Sequence, residues 1–264
     1  MGAVQGVTEF LPVSSSGHLV LLKKIFGIEE PALLFGTMLH AGSLAAIIAV
    51  LRKDVWDIIR RPFQQLTGYL FIATVPIVIA GLLLRDYVEA AFDSGEYLGI
   101  AFLITAAFLF LSERLSKRTR KVKKEYSMNW VDALVIGIFQ AIALTPGISR
   151  SGSTLSAALF RKLDREFAAR FIFLLAIPAI LGALVLELAH LFRGGINQQI
   201  DVIPYIVGTV TSAVVGIISV KLMLVIVRKR ALWGFAIYVA VLGVLVLLED
   251  QVRYVLSYFF NISF

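Results

Sequence analysis

Two stretches decide the fold, because each breaks an apolar run with a polar turn. Residues 5–18 read QGVTEFLPVSSSGH, and residues 145–154 read TPGISRSGST. The apolar pieces beside the turns, within 2–22 and 131–160, are each shorter than the roughly 20 residues that cross a bilayer. Irregular backbone at membrane depth is tolerated only where protein or water covers it. The pattern therefore predicts two re-entrant helical hairpins whose turns line a cavity.

The rest of the chain is strongly apolar. Hydrophobic residues make up 59% of the 264 residues, above the roughly 45–50% of soluble proteins. Backbone groups in lipid must be paired, so long apolar runs are helices. The fold class is therefore all-α: a polytopic membrane protein with two re-entrant hairpins and six transmembrane helices, at about 33–51, 69–84, 98–111, 171–188, 202–227 and 232–248. The chain contains no cysteine, which excludes disulfides and thiolate chemistry.

An internal repeat relates the two halves at an offset of 135 residues. The matched pairs are Gly2 and Gly137, Gln5 and Gln140, Ser14 and Ser149, Ser16 and Ser151, and Gly17 and Gly152. Each unit holds one hairpin and three crossings, so the second unit is inverted, and such repeats place a site near the midplane. We expect one membrane domain: repeat 1 over 1–113, a cytoplasmic basic loop over 114–130 and repeat 2 over 131–264.

Basic residues predict the orientation. On one face lie Arg52, Lys53, Arg60, Arg61, Arg114, Lys117, Arg118, Arg120, Lys121, Lys123, Lys124, Arg161, Lys162, Arg165, Arg170, Arg228, Lys229 and Arg230. The opposite face has Lys23, Lys24, Arg85, Arg193 and Arg253. The positive-inside rule puts the first face in the cytoplasm. Because these residues form short clusters between apolar runs, we expect anionic membrane lipids as partners and no nucleic acid.

Three ionisable residues lie at or beside the turns: Glu9, His18 and Arg150. Such groups at membrane depth are costly and usually functional. The half-helix after each turn presents free N–H groups to an anion, and Arg150 adds a forked donor suited to phosphate. The glycines of the turns allow close approach to the backbone; they are Gly17, Gly147 and Gly152. The predicted ligand is a lipid phosphate or pyrophosphate.

Hydrolysis of such a ligand needs a nucleophile and a proton carrier. The first turn offers the hydroxyls of Ser14, Ser15 and Ser16, and His18 could hold the proton. Glu9 could orient that histidine, act as a base or bind a hard divalent cation. Attack by serine and attack by water both remain open. His40 and His190 are interpreted as packing residues within apolar surroundings.

At these residues the chain resembles the undecaprenyl-pyrophosphate phosphatase family, the bacitracin-resistance type. Residues 5–18 resemble its first motif, and residues 146–154 resemble its second. The resemblance implies a cell-envelope hydrolase that regenerates the monophosphate lipid carrier of wall-polymer (peptidoglycan) synthesis. It also implies Mg²⁺ or Ca²⁺ dependence and a site on the plasma (inner) membrane that opens to the outer face.

The motifs assign roles by resemblance. Glu9 matches the essential second acid and is the candidate metal ligand. Ser15 matches the nucleophile, His18 the motif histidine and Arg150 the phosphate-binding arginine. The supporting positions in the substrate site are Gln5, Ser14, Ser16, Gly17, Gly147, Ser149, Ser151, Gly152 and Thr154. Many members have glutamate where this chain has Gln5, which leaves one carboxylate fewer for a cation.

Two functions are therefore compared. The favoured one is hydrolysis of a polyprenyl pyrophosphate, which is the lipid partner, to the monophosphate and phosphate. The alternative is a transporter or lipid flippase with a midplane phosphate site, because inverted repeats with broken helices also serve transport. A homodimer is left open as the oligomeric state.

Overall fold

The structure is a computed structural model that describes residues 1–27, 32–95, 97–116, 122–194, 202–229 and 231–260. This part of the chain is helical and contains no β-strand, apart from one isolated bridge between Lys123 and Leu163. The helices are α1 (Gly2–Thr8), α2 (Ser15–Phe26), α3 (Ala32–Val50), α4 (Arg52–Arg60), α5 (Gln65–Leu83), α6 (Arg85–Ser94), α7 (Leu98–Ser116), α8 (Trp130–Ile142), α9 (Arg150–Phe160), α10 (Arg165–Gly194), α11 (Val202–Lys229) and α12 (Trp233–Phe260), with a 3₁₀ turn at Glu125–Ser127.

Every predicted span is helical: α3, α5, α7, α10, α11 and α12 cover the six apolar runs. Among the described residues, four helical stretches are long and apolar enough to cross a bilayer, in α5, α7, α10 and α11. A fifth is added if Phe35–Val50 and Arg52–Arg60 count together despite the 82° bend between them. The chain is therefore a multi-pass helical membrane protein.

Two short helices, α4 and α6, were not predicted from the sequence. Both are amphipathic rather than apolar, so a search for long apolar runs passes over them. On α4, exposed Trp56 and Ile59 accompany five charged residues on a nine-residue helix. Its Asp54 bonds to Arg170 of α10. Such a composition is typical of a helix that lies along a membrane interface.

Both predicted hairpins are broken helices. α1 and α2 are separated by residues 9–14, and α8 and α9 by residues 143–149. Ser14 caps α2 by accepting a hydrogen bond from the Gly17 amide at 3.2 Å. Ser149 caps α9 by accepting from the Gly152 amide at 3.1 Å. These caps are the same contact displaced by 135 residues, and each supplies one of the orphan donors of a helix N-terminus with an acceptor.

Close backbone contacts seat both hairpins on neighbouring spans. A Cβ on Gly2 would stand 2.4 Å from the Gly208 carbonyl oxygen of α11. A Cβ on Gly137 would stand 2.4 Å from the Ala73 carbonyl oxygen of α5. Gly2 and Gly137 are repeat-related, and so are Ala73 and Gly208. Each hairpin therefore packs on the span contributed by the other half of the chain, and only glycine fits.

Charged contacts fix the start of the second hairpin. Buried Asp132, in the first turn of α8, accepts hydrogen bonds from Lys123 at 2.9 Å and from Arg161 at 2.6 Å. Asn129 and Asp132 also form a capping box. The two ends of the hairpin are thus tied to one carboxylate, which holds its turn in a defined position.

Candidate active site

The two polar turns lie in contact. The Ser151 hydroxyl donates to the Leu11 carbonyl at 3.0 Å, and the Gly147 amide donates to Ser16 Oγ at 3.4 Å. Gly147 has a φ of 89°, a conformation that glycine adopts without a steric cost. A Cβ on Gly17 would stand 3.0 Å from the Gly147 Cα. The predicted meeting of the turns is therefore present in the structure.

The buried carboxylate of Glu9 joins the two turns. Its Oε1 lies 3.2 Å from Arg150 Nη2, on the second hairpin. Its Oε2 accepts hydrogen bonds from Ser15 Oγ at 2.5 Å and from Gln5 Nε2 at 3.0 Å. A buried carboxylate is tolerable when it is paired and hydrogen-bonded. The acid, the hydroxyl and the guanidinium predicted to do chemistry thus belong to one network.

His40 of α3 also belongs to this network, which the sequence interpretation missed. Its Nδ1 lies 2.9 Å from Gln5 Nε2 and 3.3 Å from Glu9 Oε2. The sequence did contain a signal for His40, namely its position within an apolar run. An ionisable residue at membrane depth is costly and usually functional, and this applies to His40 as it does to Glu9. His190 lies in α10, but its side chain is outside the described residues.

A cavity of about 210 Å³ opens beside the network. Its polar lining consists of Ser15, Ser16, Thr37, His40 and Arg150. Its apolar lining consists of Ile77, Val88, Phe92, Ala143, Leu144, Ile148, Ala179, Ile180 and Ala183. The cavity can therefore take a ligand that has both a polar group and an apolar tail.

His18 lies apart from the acid. Its Nδ1 is 2.7 Å from the Ser14 carbonyl oxygen, and its Nε2 is 2.7 Å from the Tyr238 hydroxyl of α12. Its ring stands edge-on to Phe102 and stacks with Tyr238. Among the described contacts none joins His18 to Glu9, so orientation of His18 by that carboxylate is not seen.

The other predicted site residues differ in what they contact. Gln5 contacts the acid, and Ser16 lines the cavity. Ser14 and Ser149 are helix caps that occupy the amides of Gly17 and Gly152. Their hydroxyls also lie 3.3 Å from those of Ser16 and Ser151, respectively.

Thr154 turns back onto its own helix. Its hydroxyl donates to the Arg150 carbonyl at 2.7 Å. This contact supports the backbone that carries Arg150, and it does not bring the threonine hydroxyl to Glu9. The substrate-binding role of Thr154 stays a prediction, as do the corresponding roles of the caps and the turn glycines.

Fold and site together define a class: a multi-pass helical membrane protein with a carboxylate, a hydroxyl and a guanidinium at the junction of two broken helices. Residues 1–245 match the family described as bacitracin resistance protein BacA, and the chain belongs to this family.

Curated relatives agree with this membership. The chain is 46% identical to "Undecaprenyl-diphosphatase" of Carboxydothermus hydrogenoformans over 248 residues, which cover 94% of both chains. It is 43% identical to "Undecaprenyl-diphosphatase 4" of Bacillus thuringiensis subsp. konkukian, again over 94% of both. It is 37% identical to "Undecaprenyl-diphosphatase" of Halothermothrix orenii, over 94% of this chain and 95% of that one.

Proposed function

We propose that the protein hydrolyses undecaprenyl pyrophosphate to undecaprenyl phosphate and inorganic phosphate. The observation that carries the proposal is the network in which Ser15, Glu9 and Arg150 meet beside a cavity. The relatives are named for this activity. A transporter or flippase would use a phosphate site too, but a hydroxyl bonded to a carboxylate is the arrangement of a nucleophile and its base.

The cavity suits both parts of this substrate. Arg150 and the hydroxyls of Ser15 and Ser16 belong to the polar lining, against which a pyrophosphate would lie. The apolar lining includes Ile77, Phe92 and several alanines, against which prenyl units would pack. A water-soluble phosphate would gain nothing from that apolar wall.

The chemistry that fits this geometry begins at Ser15. Its hydroxyl proton passes to Glu9 Oε2, 2.5 Å away, as its oxygen attacks the terminal phosphorus. The bond from that phosphorus to the bridging oxygen breaks, and undecaprenyl phosphate leaves. Glu9 passes its proton to the leaving oxygen and then takes a proton from the water that attacks the phosphoserine. Glu9 returns that proton to Ser15 Oγ as the bond between phosphorus and Oγ breaks, which releases inorganic phosphate and restores the serine hydroxyl.

Arg150 supplies the charge that phosphoryl transfer requires. Its guanidinium already lies against Glu9, and a planar fork of donors matches two phosphate oxygens. We assign supporting substrate contacts to Gln5, Ser14, Ser16, Gly17, Gly147, Ser149, Ser151, Gly152 and Thr154. We propose His18 as a further catalytic candidate, whose Nε2 contacts the Tyr238 hydroxyl.

A divalent cation, Mg²⁺ or Ca²⁺, is part of the proposal. The described residues hold no cluster of three or more His, Asp or Glu side chains. Glu9 is a carboxylate ligand, however, and Gln5 Oε1 is a buried oxygen without a hydrogen-bond partner. These oxygens fit a cation that is shared with substrate phosphates and water, as magnesium commonly is. When bound, it would neutralise phosphate charge.

We also propose the finer topology: six crossings in two inverted repeats that form one membrane domain. The matched caps at Ser14 and Ser149 support it, as do the reciprocal contacts of Gly2 and Gly137. The excess of basic residues on one face supports a cytoplasmic location for that face. We place the protein in the inner (plasma) membrane, and a homodimer stays a prediction.

An outward opening of the site follows from this orientation. Val88 and Phe92 of α6 line the cavity, and α6 belongs to the loop assigned to the outside. Because the chain has no cysteine, Ser94→Cys and Lys121→Cys can be made separately and treated in intact cells with an impermeant thiol reagent. Ser94→Cys labels, and Lys121→Cys labels only after lysis. The opposite pattern would overturn the orientation, and labelling of both would overturn the crossing count.

Phosphate release by purified protein in detergent tests the function, because transport cannot occur without a sealed membrane. Wild type releases phosphate from undecaprenyl pyrophosphate, whereas Ser15→Ala binds the lipid without turning it over. Absence of turnover by wild type, with Mg²⁺ or Ca²⁺ present, would refute the hydrolase. Substantial turnover by Ser15→Ala would instead assign the attack to water.

A further inference from the structure

We infer that His40 is a further substrate-binding residue of this site, whose Nε2–H donates a hydrogen bond to the pyrophosphate. The inference rests on the proposed function and adds a donor from α3, outside both motifs. It follows from the contacts that Gln5 and Glu9 make with the Nδ1 atom of the His40 ring.

The Gln5 amide is oriented by charge. Its Nε2 lies 3.0 Å from Glu9 Oε2. The opposite orientation of the amide would place its oxygen against a carboxylate oxygen, which is repulsive. The NH₂ group therefore faces Glu9, and the same nitrogen lies 2.9 Å from His40 Nδ1.

This orientation decides which ring nitrogen of His40 carries the proton. An amide NH₂ only donates, and its nitrogen lies nearer to His40 Nδ1, at 2.9 Å, than to Ser43 Oγ, at 3.4 Å, so we assign Nδ1 as the acceptor. A neutral imidazole that accepts at Nδ1 carries its proton on Nε2. Nδ1 is also 3.3 Å from Glu9 Oε2, a longer distance than the 2.9 Å to Gln5. The polar network thus presents Nε2–H as the free donor of the ring.

The cavity is where this donor can be used. His40 lines it together with Ser15 and Arg150, and its side chain is 21% exposed. In the described part of the chain, no residue forms a hydrogen bond with Nε2. Because Nε2 is not one of the buried polar atoms left without a partner, it is accessible rather than sealed inside the protein. A phosphate group beside Ser15 and Arg150 would supply the acceptor for Nε2–H. The proposed contact of His40 with the phosphate is a hydrogen bond and involves no covalent step.

Two conservative substitutions separate this role from a structural one. In His40→Gln the longer amide reaches toward the position of Nε2 and keeps a donor in the cavity. In His40→Asn the shorter amide stays near the position of Nδ1, so it keeps the contact with Gln5 and loses the cavity donor. The measurements are kcat/KM for phosphate release and inhibition by a methylene-bridged, non-hydrolysable undecaprenyl bisphosphonate.

We expect His40→Asn to lose about 10²-fold in kcat/KM, the typical loss for one donor that stabilises developing charge, with weaker inhibition by the bisphosphonate. His40→Gln retains most of both. The matched controls are His190→Asn and His190→Gln on α10, which show no such difference between the two amides.

The opposite order, with Asn active and Gln inactive, would show that His40 only supports Glu9 and would overturn the inference. Equal losses or no loss in the two variants would overturn it as well. Thermal unfolding in detergent checks that both variants are folded; if His40→Asn were not, the retention of activity and inhibitor binding in His40→Gln would decide. Failure of wild type to turn over substrate would refute the proposed function instead, so the two failures are distinguishable.

Discussion

The two polar turns have the same frame and opposite chemistry. In both, a serine caps the following half-helix and lies 3.3 Å from the serine two residues later. At three repeat-related positions the side chains differ: Glu9 corresponds to Leu144, Ser15 to Arg150, and His18 to Ser153. The first turn thus carries the carboxylate of Glu9 and the hydroxyl of Ser15, and the second carries the guanidinium of Arg150. The two turns therefore share their capping frame and differ in the side chains on which the proposed reaction depends.

Each turn also depends on the other for charge balance. Glu9 is 9% exposed, and removing the partner of a buried ion pair leaves an uncompensated charge that typically costs about 3–5 kcal/mol. The 3.2 Å contact between Glu9 and Arg150 is therefore a link between the halves of the chain. Neither hairpin alone would make a stable or competent site.

Neutralising the acid of the first turn should have the largest effect. Glu9→Gln keeps the shape of the side chain but removes its charge, so it can neither accept the Ser15 proton nor bind a cation strongly. We expect kcat to fall by about 10²–10⁴, the range for a general base. Phosphate release is measured in excess chelator and in magnesium. Normal turnover in both conditions would rule out both roles of Glu9.

Replacing the guanidinium of the second turn should have the next largest effect on activity. Arg150→Lys keeps the charge but loses the fork of donors, and we expect a loss of about 10²–10³ in kcat. Arg60→Lys is the matched control, because Arg60 lies on α4 against Trp56. Activity near that of wild type in Arg150→Lys would remove Arg150 from the reaction.

The caps should show the smallest effect, and a difference between the turns. Ser14 has a φ of 70°, whereas Ser149 has a φ of −71°. Alanine at either site loses the cap, at about 1 kcal/mol. At Ser14 alanine must also keep a left-handed backbone, which costs about 1–2 kcal/mol more than for glycine.

Thermal unfolding in detergent would compare alanine with glycine at each site. Glycine should exceed alanine in stability by a wider margin at Ser14 than at Ser149. Equal margins would contradict the left-handed conformation at Ser14.

The features predicted correctly are those that local sequence determines. Long apolar runs specify helices in lipid, and the breaks at Pro12 and Pro146 lie in the two turns. Glu9 and Arg150 were singled out because each is an ionisable residue beside such a break; the structure shows them in contact, and their catalytic roles stay predictions. Their meeting followed from the repeat, which predicts that the two turns face each other.

The features that were missed depend on packing between distant helices. His40 reaches Glu9 only because α3 packs beside α1, and His18 bonds to Tyr238, 220 residues away. The sequence pattern treated His18 as the partner of Glu9 and His40 as a packing residue, whereas the structure places His40 beside the acid. Side-chain pairing of this kind is decided by tertiary contacts that a single sequence does not display.

The central claim is that the two turns form one site, and a double-mutant cycle tests it most directly. The kcat/KM for phosphate release is measured for wild type, Glu9→Gln, Arg150→Lys and the variant with both changes. Residues that act as a unit are strongly non-additive. The double variant should therefore lose about as much activity as the worse single variant. Losses that multiply, to about 10⁴ or more from the ranges for the single changes, would mean that Glu9 and Arg150 act independently, and would contradict a shared site.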